Sequence, residues 1–137
     1  MNFRLRTSRK TAELLKDLQT QTNMTPNILA RFAVCLSLKY KPKEGDEKNK
    51  KLLLTPVKDT SGLEFNRSTL TGQFDYVFKA LITQHSGHEI SDEEYFPGLF
   101  NSHLERGIHL LKNEYQYAGN SEKLITNLLY QTKEVAQ

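Results

Sequence analysis

Asn2-Phe3-Arg4-Leu5-Arg6-Thr7-Ser8 opens the chain, and Thr25-Pro26-Asn27-Ile28-Leu29 follows it. In an extended segment, residues two apart share a face, so Phe3, Leu5 and Thr7 point one way and Arg4 and Arg6 the other. One face seeks a core and the other carries cations. Ser8 then caps a helix whose apolar stripe is Leu14, Leu15 and Leu18. Thr25-Pro26, a hydroxyl at the N-cap and a proline at the first helical position, starts a second helix carrying Ile28, Leu29, Phe32, Cys35 and Leu36. A short strand left alone has unpaired backbone groups. Its expected partner is the same strand of a second copy, the ribbon-helix-helix arrangement of β-ribbon DNA readers. That pairing predicts a homo-oligomer, a dimer or tetramer, built on Phe3, Leu5 and the stripe of the second helix.

Outward from this start the pattern changes. Residues 41–51, Lys-Pro-Lys-Glu-Gly-Asp-Glu-Lys-Asn-Lys-Lys, have no hydrophobic period and contain Pro42 and Gly45, which predicts an exposed basic loop. Leu52-Leu53-Leu54 and Leu63-Glu64-Phe65 are short enough to be strands or neither, with the turn-forming Asp59-Thr60-Ser61-Gly62 between them. Phe74, Val77, Phe78, Leu81 and Ile82 recur at helical spacing and stop near Ser86-Gly87. Ser91-Asp92-Glu93-Glu94 is a cap with an acidic first turn. Phe100, Leu104, Ile108 and Leu111 continue an apolar stripe, and Ser121-Glu122 opens a last helix carrying Leu124, Ile125, Leu128 and Leu129. The expected fold is mainly α: a ribbon-helix-helix-like strand-helix-helix with additional helices. One domain, 1–137, comprises that unit at 1–40, a basic loop at 41–58 and a mainly helical remainder at 59–137.

Charge is divided along the chain. From Met1 to Lys58 there are 13 Lys or Arg against 5 Asp or Glu, a net +8; from Asp59 to Gln137 there are 6 against 11, a net −5. Such asymmetry suits a basic surface for a polyanion and an acidic remainder available to a protein partner. At 137 residues the chain can bury about two-thirds of its unfolded surface in one core. Cys35, the one cysteine, excludes an internal disulfide framework, and no apolar run reaches membrane-spanning length. Without the apolar core of a secretory signal, a cytoplasmic protein that does not engage membranes is expected.

Arg4-Leu5-Arg6-Thr7-Ser8, Thr25-Pro26-Asn27-Ile28-Leu29, Gly62-Leu63-Glu64-Phe65-Asn66-Arg67 and His103-Leu104-Glu105-Arg106-Gly107-Ile108, in that order, resemble the DndE family of DNA sulfur-modification proteins. The resemblance implies a bacterial system that replaces a non-bridging phosphate oxygen of DNA with sulfur. There a cysteine desulfurase, an ATP-pyrophosphatase-like protein and an ATPase act beside DndE, which is a small DNA-binding component and not the catalyst. The implied partners are double-stranded DNA, intact or nicked, and the other sulfur-modification proteins. Two alternatives stand beside this: a scaffold that docks those enzymes, and a ribbon-helix-helix-type transcriptional regulator, the latter on fold analogy alone.

The candidate DNA contacts are cations and one helix start. Arg4 and Arg6 on the strand, with Arg9, Lys10 and Lys16 nearby, suit phosphate contact, although a solvated face has the same composition. Thr25 and Asn27 cap a helix whose free N–H groups would suit a phosphate. Lys39, Lys41, Lys43, Lys48, Lys50 and Lys51 would follow a DNA backbone without reading sequence, or serve solubility. No catalytic site, metal or cofactor is expected. His85 and His88 have metal-compatible spacing but flank Ser86-Gly87 in a turn, and no second ligand cluster accompanies them. His103 and Glu105 fall on different sides of a helix, Arg106 suits pairing, and Cys35 reads as core. Phosphate-binding glycine loops and a Ser/His/Asp set are both missing.

Overall fold

The computed structural model describes residues 3–41 and 54–136. Strand β1 (Arg4–Arg6) leads into α1 (Arg9–Thr22) and α2 (Pro26–Lys39). Then come β2 (Glu64–Asn66), α3 (Arg67–Leu70), α4 (Asp75–Ser86), α5 (Asn101–Ala118) and α6 (Ser121–Ala136). A 3-10 turn, Gly72–Phe74, precedes α4, and a π-helical segment, Glu94–Phe100, runs into α5. The described chain is mainly helical and begins with the expected strand-helix-helix. Among the described residues, no helix is long and apolar enough to cross a membrane.

Local chemistry sets the element ends. Ser8 Oγ accepts the Thr11 N–H at 3.1 Å and Thr25 Oγ1 accepts the Ile28 N–H at 3.4 Å, each satisfying a donor that a helix start leaves open. Ser91 and Glu94 form the reciprocal capping box: Glu94 N–H donates to Ser91 Oγ at 3.2 Å and Ser91 N–H to Glu94 Oε1 at 3.3 Å. Pro97 falls inside the π segment, whose widened turn takes a residue with no N–H to donate.

The strand finds its partner within the chain and not in a second copy. β1 pairs antiparallel with β2, Arg4 opposite Asn66, Leu5 opposite Phe65 and Arg6 opposite Glu64. Leu5 and Phe65 meet at the centre, 2% and 4% exposed, and their shared burial selects this register. The ladder continues at both ends: Arg67 N–H donates to Phe3 O at 2.7 Å, Thr7 N–H to Leu63 O at 2.9 Å, and Gly62 N–H to Thr7 O at 2.9 Å. Gly62 lies so close to the Ser8 carbonyl that a Cβ would collide with it. Leu5 therefore belongs to the core of one molecule, not to a subunit contact, while Phe3 remains exposed. Of the basic stretch 41–51 only Lys41 lies within the described residues, where it is exposed; Leu52 and Leu53 also fall outside them, and residues 54–58, the end of the expected loop, are in neither helix nor strand.

The core is organised by α2 crossing α5. A Cβ on Gly107 would strike the Ala33 carbonyl, so the two backbones meet at the closest approach a glycine permits. Around that crossing α2 buries Leu29, Ala30, Ala33, Val34 and Ser37, mostly small side chains. Its bulkier Ile28 and Phe32, and with them Cys35, face outward, so Cys35 is not a core residue as its stripe suggested. Between backbones this close only the small face fits. Phe100, Leu104, Ile108 and Leu111 are fully buried as expected. Phe78, Tyr95, Phe96 and Phe100 stack edge to face and tilted beneath α4, which leaves Phe74, Val77 and Leu81 of its predicted stripe partly open.

Candidate nucleic-acid interface

The ribbon turns one face inward and carries its cations on the other. Arg4 and Arg6 stand either side of Glu64, 3.9 and 3.6 Å from its carboxylate, and their side chains are 71% and 56% exposed. Ion pairs this open contribute little, so both guanidiniums remain available to an anion. The ribbon is fastened to the helices by Asn101, whose Nδ2 donates to Arg6 O at 2.8 Å.

Where the ribbon ends, a groove of about 500 Å³ begins, lined by Gly62 and Leu63 from the β2 side, Arg9 and Lys16 of α1, and Pro26 of α2. Arg9 and Lys16 are two helical turns apart and share a face. The Arg9 amide donates to Asp59 Oδ2 at 3.0 Å, and its guanidinium lies 3.7 Å from Glu13 in an exposed pair. The Ser61 hydroxyl, with the Arg9 and Ser61 amides, holds the Asp59 carboxyl below the usual carboxylate range. Pro26 brings the N-terminus of α2, with Thr25 and Asn27, to the rim of this groove.

The other predicted contacts are not gathered there. Lys10 looks across α1 towards His109 and Lys112 of α5; His109 is kept below its ordinary value by burial and then by the Lys10 charge. Lys39 sits at the far end of α2, roughly 20 Å from Thr25 at the helical rise per residue, beside Leu81, Gln84 and His85. Lys43, Lys48, Lys50 and Lys51 lie outside the described residues. The sequence reasoning passed over Lys112 and His109, which no local pattern joins to Lys10. It also passed over Arg31, whose Nη1 donates to the Leu70 carbonyl at 3.0 Å and closes the end of α3.

Residues weighed for chemistry have structural roles. Ser37 Oγ lies 2.8 Å from His103 Nδ1 and accepts from Arg106 Nε at 2.8 Å, while Arg106 Nη2 donates to Ser37 O at 2.8 Å. This buried knot ties the C-terminal turn of α2, where a cation is favoured, to α5. The His103 ring also meets His85 edge-on, 4.8 Å between centroids, and His88 is exposed in the turn after α4. Asp92, expected in a free acidic turn, is instead engaged with Arg67: Nη1 reaches both its oxygens at 2.9 and 3.0 Å. The other side of the guanidinium grips Asp75, Nε at 2.9 Å and Nη2 at 2.6 Å. Partial burial opposes the charge on Asp75, but its bonds from Arg67, Thr71 and Tyr95 prevail and keep it below the usual carboxylate range.

Fold and surface together define a small, mainly helical protein whose N-terminal strand-helix-helix displays arginines beside a groove. Residues 4–119 match the family described as DNA sulphur modification protein DndE. The chain belongs to that family. Among solved structures it is similar to DndE from Escherichia coli B7A, described as involved in DNA phosphorothioation modification, with 24% identity, 79% of this chain and 96% of that chain covered and a TM-score of 0.59. It is also similar to a glycine-to-lysine mutant of DndE, described as involved in DNA phosphorothioation, at 24% identity, 82% and 99% coverage and a TM-score of 0.55. These likenesses show a common fold. No curated protein matches the chain.

Proposed function

We propose that this chain is a non-catalytic DNA-binding component of the DNA phosphorothioation machinery, holding duplex DNA, intact or nicked, by its backbone. The observation that carries this reading is the continuity of Arg4 and Arg6 on the open ribbon face with Arg9 and Lys16 in the adjoining groove. Guanidinium and ammonium groups on a rigid frame suit phosphate oxygens, and such contacts fix position without specifying sequence. Thr25 and Asn27 at the start of α2 extend the same surface, while Lys10, turned towards His109 of α5, would offer a separate phosphate contact outside the groove. Lys39 at the far end of α2 and Lys41 just beyond it would meet the DNA backbone apart from the groove, following it without reading sequence. The test is DNA affinity across a salt series. Neutralising about six phosphates should give log K against log salt a slope near −5, whereas a flat response would defeat the proposal. Reversing Arg4 and Arg6 should weaken binding to all sequences alike; a loss confined to some sequences would indicate base readout.

A scaffold role is the second reading, favoured by Glu93 and Glu94, which are exposed on the turn leading into the π segment. They would offer a charged contact to the other sulfur-modification proteins.

A further inference from the structure

The groove beside the ribbon has two unlike walls. Its cations enter from α1 alone, as Arg9 and Lys16. Among the described residues Lys16 forms no ion pair, and Arg9 has only its open contact with Glu13. The other wall, from the ribbon end and α2, has no hydrogen-bond donor to spare. The Ser61 N–H and hydroxyl both donate to Asp59 Oδ1, at 2.9 and 2.6 Å. The Gly62 N–H donates to Thr7 O and the Leu63 N–H to Thr7 Oγ1, each at 2.9 Å. Pro26 has no N–H at all. The Leu63 carbonyl is held too, accepting the Thr7 N–H, so the backbone is fixed at both polar groups while the residue stays 38% exposed. What this wall offers a ligand is the apolar surface of Leu63 and Pro26.

A DNA phosphate seated between such walls has its two non-bridging atoms in different surroundings. With one of them taken by Arg9 and Lys16, the other turns to Leu63 and Pro26. An oxygen there gives up its water and receives no hydrogen bond in exchange, which costs free energy. Sulfur in the same position is larger, more polarisable and a weak acceptor, so it forfeits less and gains dispersion contact with the apolar wall. The negative charge of the group is still met by the two cations. Discrimination of this kind is a difference between two affinities, and a wall that leaves oxygen unsatisfied supplies the repulsive half of it.

We propose that this groove holds a phosphorothioate linkage of duplex DNA in preference to an unmodified phosphate, with sulfur against Leu63 and Pro26 and the remaining non-bridging oxygen towards Arg9 and Lys16. The inference rests on the DNA-binding reading and names the linkage that its site takes; the chain then stays on the finished modification. The test is the affinity of the full chain for three duplexes of one sequence, with every linkage phosphate, every linkage an Rp phosphorothioate, or every linkage an Sp phosphorothioate, so that the groove meets sulfur in any register. One isomer should bind about threefold to tenfold more tightly than phosphate, the worth of one forfeited hydrogen bond, and the other should not. Leu63→Ser places a hydroxyl on the donor-free wall and should bring the favoured isomer level with phosphate, with circular dichroism checking its fold. Pro26→Ala, which restores an N–H at the first position of α2, should act in the same sense. Equal affinity for all three duplexes, an equal gain from both isomers, or a preference untouched by both variants would overturn the proposal and leave DNA binding standing. Absence of binding to every duplex would instead defeat the DNA-binding reading, and this inference with it.

Discussion

Gly107 and His103 sit one turn apart on α5 and give the centre of the molecule its character. The glycine admits the α2 backbone, and the histidine, with no exposed surface, meets Ser37 at the same crossing. Burial, then the neighbouring His85 and Arg106, brings the His103 pKa down from 6.5 to about 3. The unfolded chain takes up this proton near pH 6.5 and the folded chain does not. Stability is therefore full above that pH and falls as pH drops towards about 3. At about 1.4 kcal/mol per unit, this residue alone should make folding about 2 kcal/mol weaker at pH 5 than at pH 7. His85 and His109, also held below their ordinary value by burial, add in the same sense. Urea unfolding at the two pH values measures the difference. His103→Gln, although less stable throughout, should reduce it by more than half; an unchanged difference would assign the effect to other groups.

At the scale of elements, Arg67 is the joint. From the start of α3 it holds Asp75 at the start of α4 and Asp92 before the π segment, with its guanidinium over the Tyr95 and Phe96 rings. α3, α4 and the π segment are thereby given one arrangement, and the clamp is tied to the ribbon through the Arg67–Phe3 backbone bond. Asp92→Asn removes a charge that Arg67, 8% exposed, cannot replace with water. Loss of about 1–3 kcal/mol of stability is expected, as for a hydrogen bond to a partly buried charge. Thermal unfolding checks this, and an unchanged midpoint would mean that Asp75 alone satisfies Arg67.

For the whole molecule, the division of charge along the sequence is not a division in space. Glu64 from the acidic half stands between Arg4 and Arg6, and Asp59 binds the Arg9 amide. What remains on the acidic side is narrower than three consecutive acids, because Asp92 is taken by Arg67. Glu93→Gln with Glu94→Gln is accordingly the change that tests a protein-docking role, since glutamine keeps the capping contact with Ser91. Stability should stay within about 0.5 kcal/mol of the original and DNA affinity should hold or rise slightly. Capture by the other sulfur-modification proteins should weaken. Loss of DNA binding from a folded double variant would place the acidic turn in the DNA path instead.

Local pattern alone determined the strand-helix-helix start, the caps at Ser8, Thr25 and Ser91, and the buried stripe of α5, because dihedral preference, capping and periodicity act within a few residues. The family was legible in four short segments, and Arg4 and Arg6 were assigned to the open face by alternation. Four things needed the tertiary structure. The partner of β1 is β2, far along the chain, and a strand's own pattern does not say whose edge completes it. The inward face of α2 is its small-residue face, because Gly107 lets α5 approach closely there, so apolar periodicity named the wrong side for Cys35. Asp92 is bound because the chain folds Arg67 onto it, and an ion pair between distant residues leaves no local trace. Which cations share a surface was decided in the same way: Arg9 and Lys16 join Pro26 at one groove, while Lys39, on the same basic stretch of sequence, is carried by the length of α2 to the other end.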